Sequence, residues 1–264
     1  MRENQMLSKI EKAVLKAGEH LLKGFNSTKQ VSHKGKIDLV TQYDVEVENI
    51  LLNELSFMSG EYDFVAEETH KERAQRKKAV YIDPIDGTTN FVHGFPFCCI
   101  SVGVYNENEG LYGVVYNPVI NEMFIAEKGC GAFLNGGKIR SSMKEKAIDC
   151  LIATGFPYSI AEGKENNILE ILGCVLKNTQ GIRRAGSAAL DLCYTAKGVF
   201  DGYYEFNLSP WDIAGGAVIA SEAGCRVTGM DGSGVMDLYE RFILCASENV
   251  CEELLTIIRN EGKF

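Results

Sequence analysis

The 264 residues are 45% hydrophobic and 24% charged, ordinary values for a globular protein long enough to hold one large core or two intimately packed halves. A formal charge of -9 argues against nucleic acid as substrate, because a polymer of phosphates needs a positive face to bind. Nine scattered cysteines without a C-x-x-C pair, and no signal peptide, predict reduced thiols in a cytoplasm, and the four histidines lack H-E-x-x-H spacing.

In chain order, Leu7, Ile10, Val14, Ala17 and Leu21 recur at helical spacing and predict a first helix. Thr41-x-x-Asp44 reads as a capping box ahead of a second helix carrying Val47, Leu51, Leu55 and Met58, which places Asp44 in its first turn. The run from Tyr62 to Ala66 predicts a short strand ending in Glu67 and Glu68, whose side chains would point to opposite faces. The charged run from Lys71 to Lys78 reads as a solvated loop. Ala79 to Ile82 predicts a buried strand that delivers Asp83 to a sheet end, where Pro84 stops it. Strands near 97–105, 111–117 and 122–126, separated by Asn/Glu/Gly turns, suggest an antiparallel meander.

Beyond about residue 146 the pattern alternates: a strand at 150–153, helices near 162–177 and 187–197, a helix from Pro210, a strand at 241–245 and a final helix. Ser209 as N-cap, Pro210 at the first helical position and an acid at the third have the grammar of a helix start. No linker or repeat separates residues 1–145 from 146–264, so the two halves are expected to form one packed unit. No apolar run reaches the roughly 20 residues that span a bilayer.

The segment Asp83-Pro84-Ile85-Asp86-Gly87-Thr88-Thr89-Asn90-Phe91 sets two carboxylates and two hydroxyls around a bend. Carboxylate and carbonyl oxygens suit hard cations such as Mg2+, which keep waters and a substrate phosphate in their shell. Alone, the same turn serves equally as a structural strand-to-helix connection or a Ca2+ loop. Glu67 offers a second source of ligand. Asp212 offers a third, although an acid there is also ordinary capping chemistry.

Together these segments resemble the inositol monophosphatase family of Mg2+-dependent, Li+-sensitive phosphatases. Residues Asp83 to Phe91 match its D-P-[IL]-D-G-T-T-N-F signature, and Trp211 to Gly224 match its second signature, with Cys225 where Gly or Ala is usual. Arg183 to Ala189 looks like R-x-x-G-[ST]-A-A, and Asp38 to Asp44 like D-L-V-T-x-x-D. The resemblance implies an α+β fold, the layered αβαβα sandwich of the inositol monophosphatase and fructose-1,6-bisphosphatase type, with metals between the halves and two or three Mg2+ ions as cofactor.

It also implies residue roles. Glu67, Asp83 and the Ile85 carbonyl would hold one Mg2+, and Asp83, Asp86 and Asp212 a second. Thr88, bonded toward Asp44, would orient the attacking water. Phosphate would meet the amides of Gly87 and Thr88, while Gly186, Ser187, Ala188, Glu205, Asp86 and Asp212 would lie beside the alcohol. Lys34 or Lys36 is expected to support the metal loop, with nothing in the spacing to choose between them.

The activity so implied is hydrolysis of inositol 1-phosphate by a cytoplasmic homodimer with no membrane or direct nucleic-acid partner. Fructose 1,6-bisphosphate, NADP, histidinol phosphate and 3'-phosphoadenosine 5'-phosphate are alternative substrates, since ester choice would fall to loops near 155–165 and 180–188. There Arg183 or Arg184 serves either a second phosphate or the protein's own acids. A role as an RNA-polymerase-associated regulator is the alternative of a different class.

Overall fold

The computed structural model describes residues 5–33, 39–69, 76–157, 159–160, 167–234 and 236–261. Helix α1 (Gln5–Phe25) buries Ile10, Val14, Ala17 and Leu21 along one face, as their spacing requires. A short antiparallel ribbon, β1 (Val31–His33) with β2 (Leu39–Thr41), leads into α2 (Gln42–Glu54). The predicted capping box is formed: the Thr41 amide and hydroxyl each donate to Asp44 Oδ2 at 2.7 Å. The helix stops at Glu54 rather than Met58, and a 3-10 turn, Ser56–Met58, carries Met58 into the same core.

The described residues form two large sheets. Seven strands follow chain order in the first: β3 (Asp63–Ala66), β4 (Lys78–Asp86), β5 (Cys99–Asn106), β6 (Glu109–Asn117), β7 (Glu122–Glu127), β8 (Gly131–Leu134) and β9 (Gly137–Ile139). Only the β3–β4 pair is parallel. The expected meander thus runs on through β8 and β9, which are too short and glycine-rich to carry a period-2 pattern.

The second sheet has the order β11 (Gly181–Arg183), β10 (Leu151–Thr154), β12 (Gly202–Phe206), β14 (Phe242–Ser247), β13 (Cys225–Thr228). Its first three strands are parallel, and β14 runs antiparallel to both of its neighbours. Between them the chain makes α3 (Thr88–His93), α4 (Asn167–Asn178), α5 (Ala188–Ala196), α6 (Pro210–Glu222) and α7 (Glu248–Glu261).

Packing puts these elements in five layers. Helices α1 and α2 cover the outer face of the first sheet, α5 and α6 lie between the sheets, and α4 and α7 cover the outer face of the second. This is the αβαβα order, and the middle apolar cluster draws on both sheets, with Val65, Tyr81 and Val115 from one and Tyr203, Ile243 and Cys245 from the other. Helix α6 is buried nearly all round, as a middle-layer helix must be. It lies so close to the first sheet that a Cβ at Gly103 would sit 2.7 Å from Ala214 and one at Gly113 2.4 Å from the Gly215 carbonyl. That approach fixes the height of Asp212 above the ends of β4 and β5.

Candidate active site

Strand β4 does not stop at Pro84 but continues to Asp86. Its register against β5 steps from Asp83 opposite Ser101 to Asp86 opposite Cys99, three residues answering two, which is a one-residue bulge. Pro84 has no amide to offer a ladder, and the bulge demands none there. The extra residue has a further effect. In a regular strand, side chains three apart face opposite ways. Here the bulge resets the alternation, and Asp83 and Asp86 line the same cavity.

Each acid is then pinned by its neighbours. Asp83 Oδ1 accepts the Ile85 amide at 3.0 Å. Asp86 Oδ2 accepts the Ser187 hydroxyl at 2.5 Å and the Ala189 amide at 2.8 Å, so the start of α5 holds a carboxylate of the other sheet. Ser187 also accepts the Leu190 amide as N-cap, which commits its side chain to the protein. Asp212 Oδ2 accepts the Ser209 amide at 2.7 Å, so Asp212 is the capping acid and a cavity residue at once. Gly87, at φ 84, turns β4 into α3, where a Cβ would come within 2.9 Å of the Phe97 carbonyl. The Asn90 amide nitrogen lies 2.7 Å from Phe97 O and 2.9 Å from Ala185 O, tying α3 to the turn that carries Gly186.

The Thr88 hydroxyl stands 2.9 Å from the Ile85 carbonyl and 3.2 Å from Asp44 Oδ1. Asp44 itself is fully buried and does not line the cavity. Strand β3 ends at Ala66, so Glu67 and Glu68 occupy a turn rather than a strand, and strand alternation does not orient them. Glu67 lines the cavity, and the amides of Glu68 and Thr69 donate to Glu48 at 2.7 and 2.9 Å.

On the far wall, Glu205 of β12 accepts the Tyr203 hydroxyl at 2.8 Å and lies against Gly155. Gly186, Ser187 and Ala188 line the same space. The cavity measures about 420 Å³ and gathers Glu67, Asp83, Ile85, Asp86, Gly87, Thr88, Glu205 and Asp212. A larger cleft of about 600 Å³ between the β5–β6 turn and the C-terminal end of α6 gathers none of them.

Burial and mutual repulsion dominate the electrostatics. Burial pushes the Asp86 carboxyl up to about 6 against the bonds from Ser187 and Ala189. Asp212 is raised well above the ordinary carboxylate range by burial and then by the Glu67 charge. Burial also lifts Glu205 to about 7, partly opposed by Tyr203 and Arg184. Arg184 is the one basic side chain among the described residues lining the cavity. Acids crowded together this way call for cations, and their all-oxygen chemistry suits a hard one. Among the described residues no group of three or more His, Cys, Asp or Glu side chains forms a ready-made metal cage.

Some expectations fall elsewhere. Lys34 and Lys36, residues 71–75 of the charged run, and 158 and 161–166 of the loop and helix expected there lie outside the described residues. Arg183 donates to the carbonyl of Ile182. Sequence reasoning missed Glu48, one helical turn after Asp44 on the same face, and Asp191, 1% exposed with Oδ1 unpartnered and its carboxyl raised well above the usual range by burial and then by Glu205 and Asp86. The i, i+4 spacing of two acids on an otherwise apolar helix face was the available signal for Glu48.

Comparison with known proteins agrees with this geometry. An inositol-1-monophosphatase of Mesorhizobium japonicum is 37% identical over 258 residues, covering 97% of this chain and 96% of that protein. The protein named Nus factor SuhB of Vibrio cholerae is 37% identical over 260 residues, 97% of each. The crystal structure of the extragenic suppressor protein suhB from Bartonella henselae superposes with a TM-score of 0.87 at 37% identity, covering 96% of this chain and 97% of that one. Residues 3–263 match the inositol monophosphatase family, to which this chain belongs as a phosphoric monoester hydrolase.

Proposed function

We propose that the chain hydrolyses a phosphorylated polyol, myo-inositol 1-phosphate above all, to the alcohol and inorganic phosphate, with Mg2+ as its cofactor. The observation that carries this reading is the convergence of Glu67, Asp83, Asp86 and Asp212 on one cavity whose opposite wall offers Glu205 and the 186–188 turn. Glu67, Asp83, the Ile85 carbonyl, Asp86 and Asp212 would hold the cations. Bound there, Mg2+ would neutralise phosphate oxygens, make water more acidic and stabilise the departing alkoxide.

The chain's own groups do the positioning. Thr88 has one proton and two acceptors within reach, Asp44 Oδ1 and the Ile85 carbonyl. Donated to buried Asp44, that proton leaves the Thr88 lone pairs to accept a hydrogen bond from the attacking water and fix its direction. The water oxygen forms the new bond to phosphorus as the ester bond breaks, the water gives up one proton and the alkoxide takes one up, so the step is proton-neutral overall. No side chain becomes phosphorylated. The amides of Gly87 and Thr88 would donate to phosphate oxygens, and Glu205 and Asp212 would accept hydroxyls of the polyol.

Phosphate release from inositol 1-phosphate, fructose 1,6-bisphosphate, NADP, histidinol phosphate and 3'-phosphoadenosine 5'-phosphate, with Mg2+ and with EDTA, tests the reading. The expected result is strong Mg2+-dependent turnover of inositol 1-phosphate that Asp86→Asn abolishes. Negligible turnover throughout, or an active Asp86→Asn protein, overturns it. The likeness to the Vibrio cholerae protein named a Nus factor supports a second reading, a transcription-associated role. Complementation of a deletion strain by Asp86→Asn would favour that role. The family also supports a homodimer, which sedimentation of the purified protein would test.

A further inference from the structure

We propose that Glu48 is a positioning residue for Glu67, an inference that rests on reading Glu67 as a cation ligand. Glu48 is fully buried on α2, one turn after Asp44 and on the same face. A carboxylate with no exposure is costly unless donors surround it. Three do: the Glu68 amide donates to Oε2 at 2.7 Å, the Thr69 amide to Oε1 at 2.9 Å, and the Thr69 hydroxyl to the same Oε1. All three donors belong to the two residues directly after Glu67.

The other side of Glu67 is tied as well, since its amide donates to the Ile82 carbonyl at 3.2 Å, next to Asp83. Glu67 therefore sits on one span of backbone anchored to β4 at one end and to α2 at the other. The ladder that fixes β3 has ended at Ala66, so Glu48 takes over where strand pairing stops. Glu48 does not line the cavity and touches no reacting atom. Helix α2 thus supports both sides of the chemistry from one face, Thr88 through Asp44 and Glu67 through Glu48.

Glu48→Gln keeps the shape but replaces one acceptor by an amine, so either the Glu68 or the Thr69 amide loses its partner. The experiment is Mg2+ titration by calorimetry of wild type, Glu48→Gln, Glu67→Gln and the double variant. A fall in Mg2+ affinity of tenfold or more is expected for Glu48→Gln. Little further loss is expected when it is added to Glu67→Gln, because the group being positioned is gone. In steady state, the Mg2+ concentration for half activation should rise while kcat at saturating Mg2+ stays near wild type. Should Glu48→Gln not fold, Thr69→Val removes the hydroxyl donor and is held to the same non-additivity.

Wild-type Mg2+ affinity in a Glu48→Gln protein that is merely less stable would overturn the proposal and leave the metal reading intact. The same factor of loss in both backgrounds would do so too. A wild-type protein that takes up no Mg2+ would instead remove the metal reading and this inference with it.

Discussion

Both carboxylate oxygens of Glu205 lie 2.1 Å from the point where residue 155 would carry a Cβ, and residue 155 is glycine. The missing side chain lets the Glu205 carboxylate rest against the backbone after β10 while the Tyr203 hydroxyl holds its other edge at 2.8 Å. Gly155→Ala must drive that carboxylate into the cavity. With Glu205 accepting a substrate hydroxyl, KM for inositol 1-phosphate should rise by roughly ten- to a hundredfold, the worth of one hydrogen bond to a charged group, with a smaller change in kcat. Adding Glu205→Asp, one methylene shorter, should restore part of the loss. An unchanged KM in Gly155→Ala would remove Glu205 from the substrate.

Gly87 and Gly94 bracket α3, both at positive φ, yet only one of them is crowded. A Cβ at Gly94 meets nothing within 4 Å, whereas at Gly87 it meets the Phe97 carbonyl at 2.9 Å and the Gly186 carbonyl at 3.1 Å. Gly94→Ala should therefore cost only the backbone strain of a left-handed residue, roughly 1–2 kcal/mol. Gly87→Ala should cost distinctly more in urea unfolding, because two backbone segments must move apart. Equal losses would show that the signature loop yields more readily than its packing implies.

Much of this was readable from the residues, and what was not has physical reasons. The capping boxes at Thr41 and Ser209 follow from side chains that bond within three residues, so the sequence carries them whole. The long-range facts are different in kind. Pro84 reads as a strand end, yet whether it stops a strand or sits in a bulge depends on what β5 pairs with it. Glu67 and Glu68 read as strand residues, but Glu48, 20 positions away from Glu68, bends them into a turn. Ser187 lines the cavity beside Gly186, but the bond from its hydroxyl to Asp86, 101 positions back, leaves no mark in the local spacing. Local bonds show in spacing; bonds between layers show only once the layers are stacked.

The buried acids make stability depend on pH in a metal-sensitive way. Asp86 rises from an ordinary 3.8 to about 6 in the folded, metal-free chain. Between those values the folded state holds a proton the unfolded state has lost, so stability falls as pH rises through the window. The loss is complete above about 6 and amounts to about 3 kcal/mol for this group. In EDTA, the urea midpoint should therefore drop between pH 5 and pH 7.5. Mg2+ should restore more stability at the higher pH and release protons as it binds near pH 6. Equal stabilisation by Mg2+ at both values would contradict placement of a cation at Asp86.

Asp191 makes the opposite case, an acid whose charge the fold does not use. It is 1% exposed on α5, Oδ1 has no partner, and burial followed by Glu205 and Asp86 holds the carboxyl well above its ordinary range. The unfolded chain ionises it near 3.9, so at neutral pH folding must take up a proton, and stability declines as pH climbs above that value. Asparagine has the same shape and no such cost. In EDTA, Asp191→Asn should unfold at higher urea than wild type at pH 8, and the difference should shrink to near zero by pH 4, where the folded carboxyl is neutral and the unfolded one has only begun to ionise. Activity should stay within a few-fold, because Asp191 is absent from the cavity wall. A variant less stable than wild type at pH 8 would mean that the Asp191 carboxylate is ionised and paired in the folded chain.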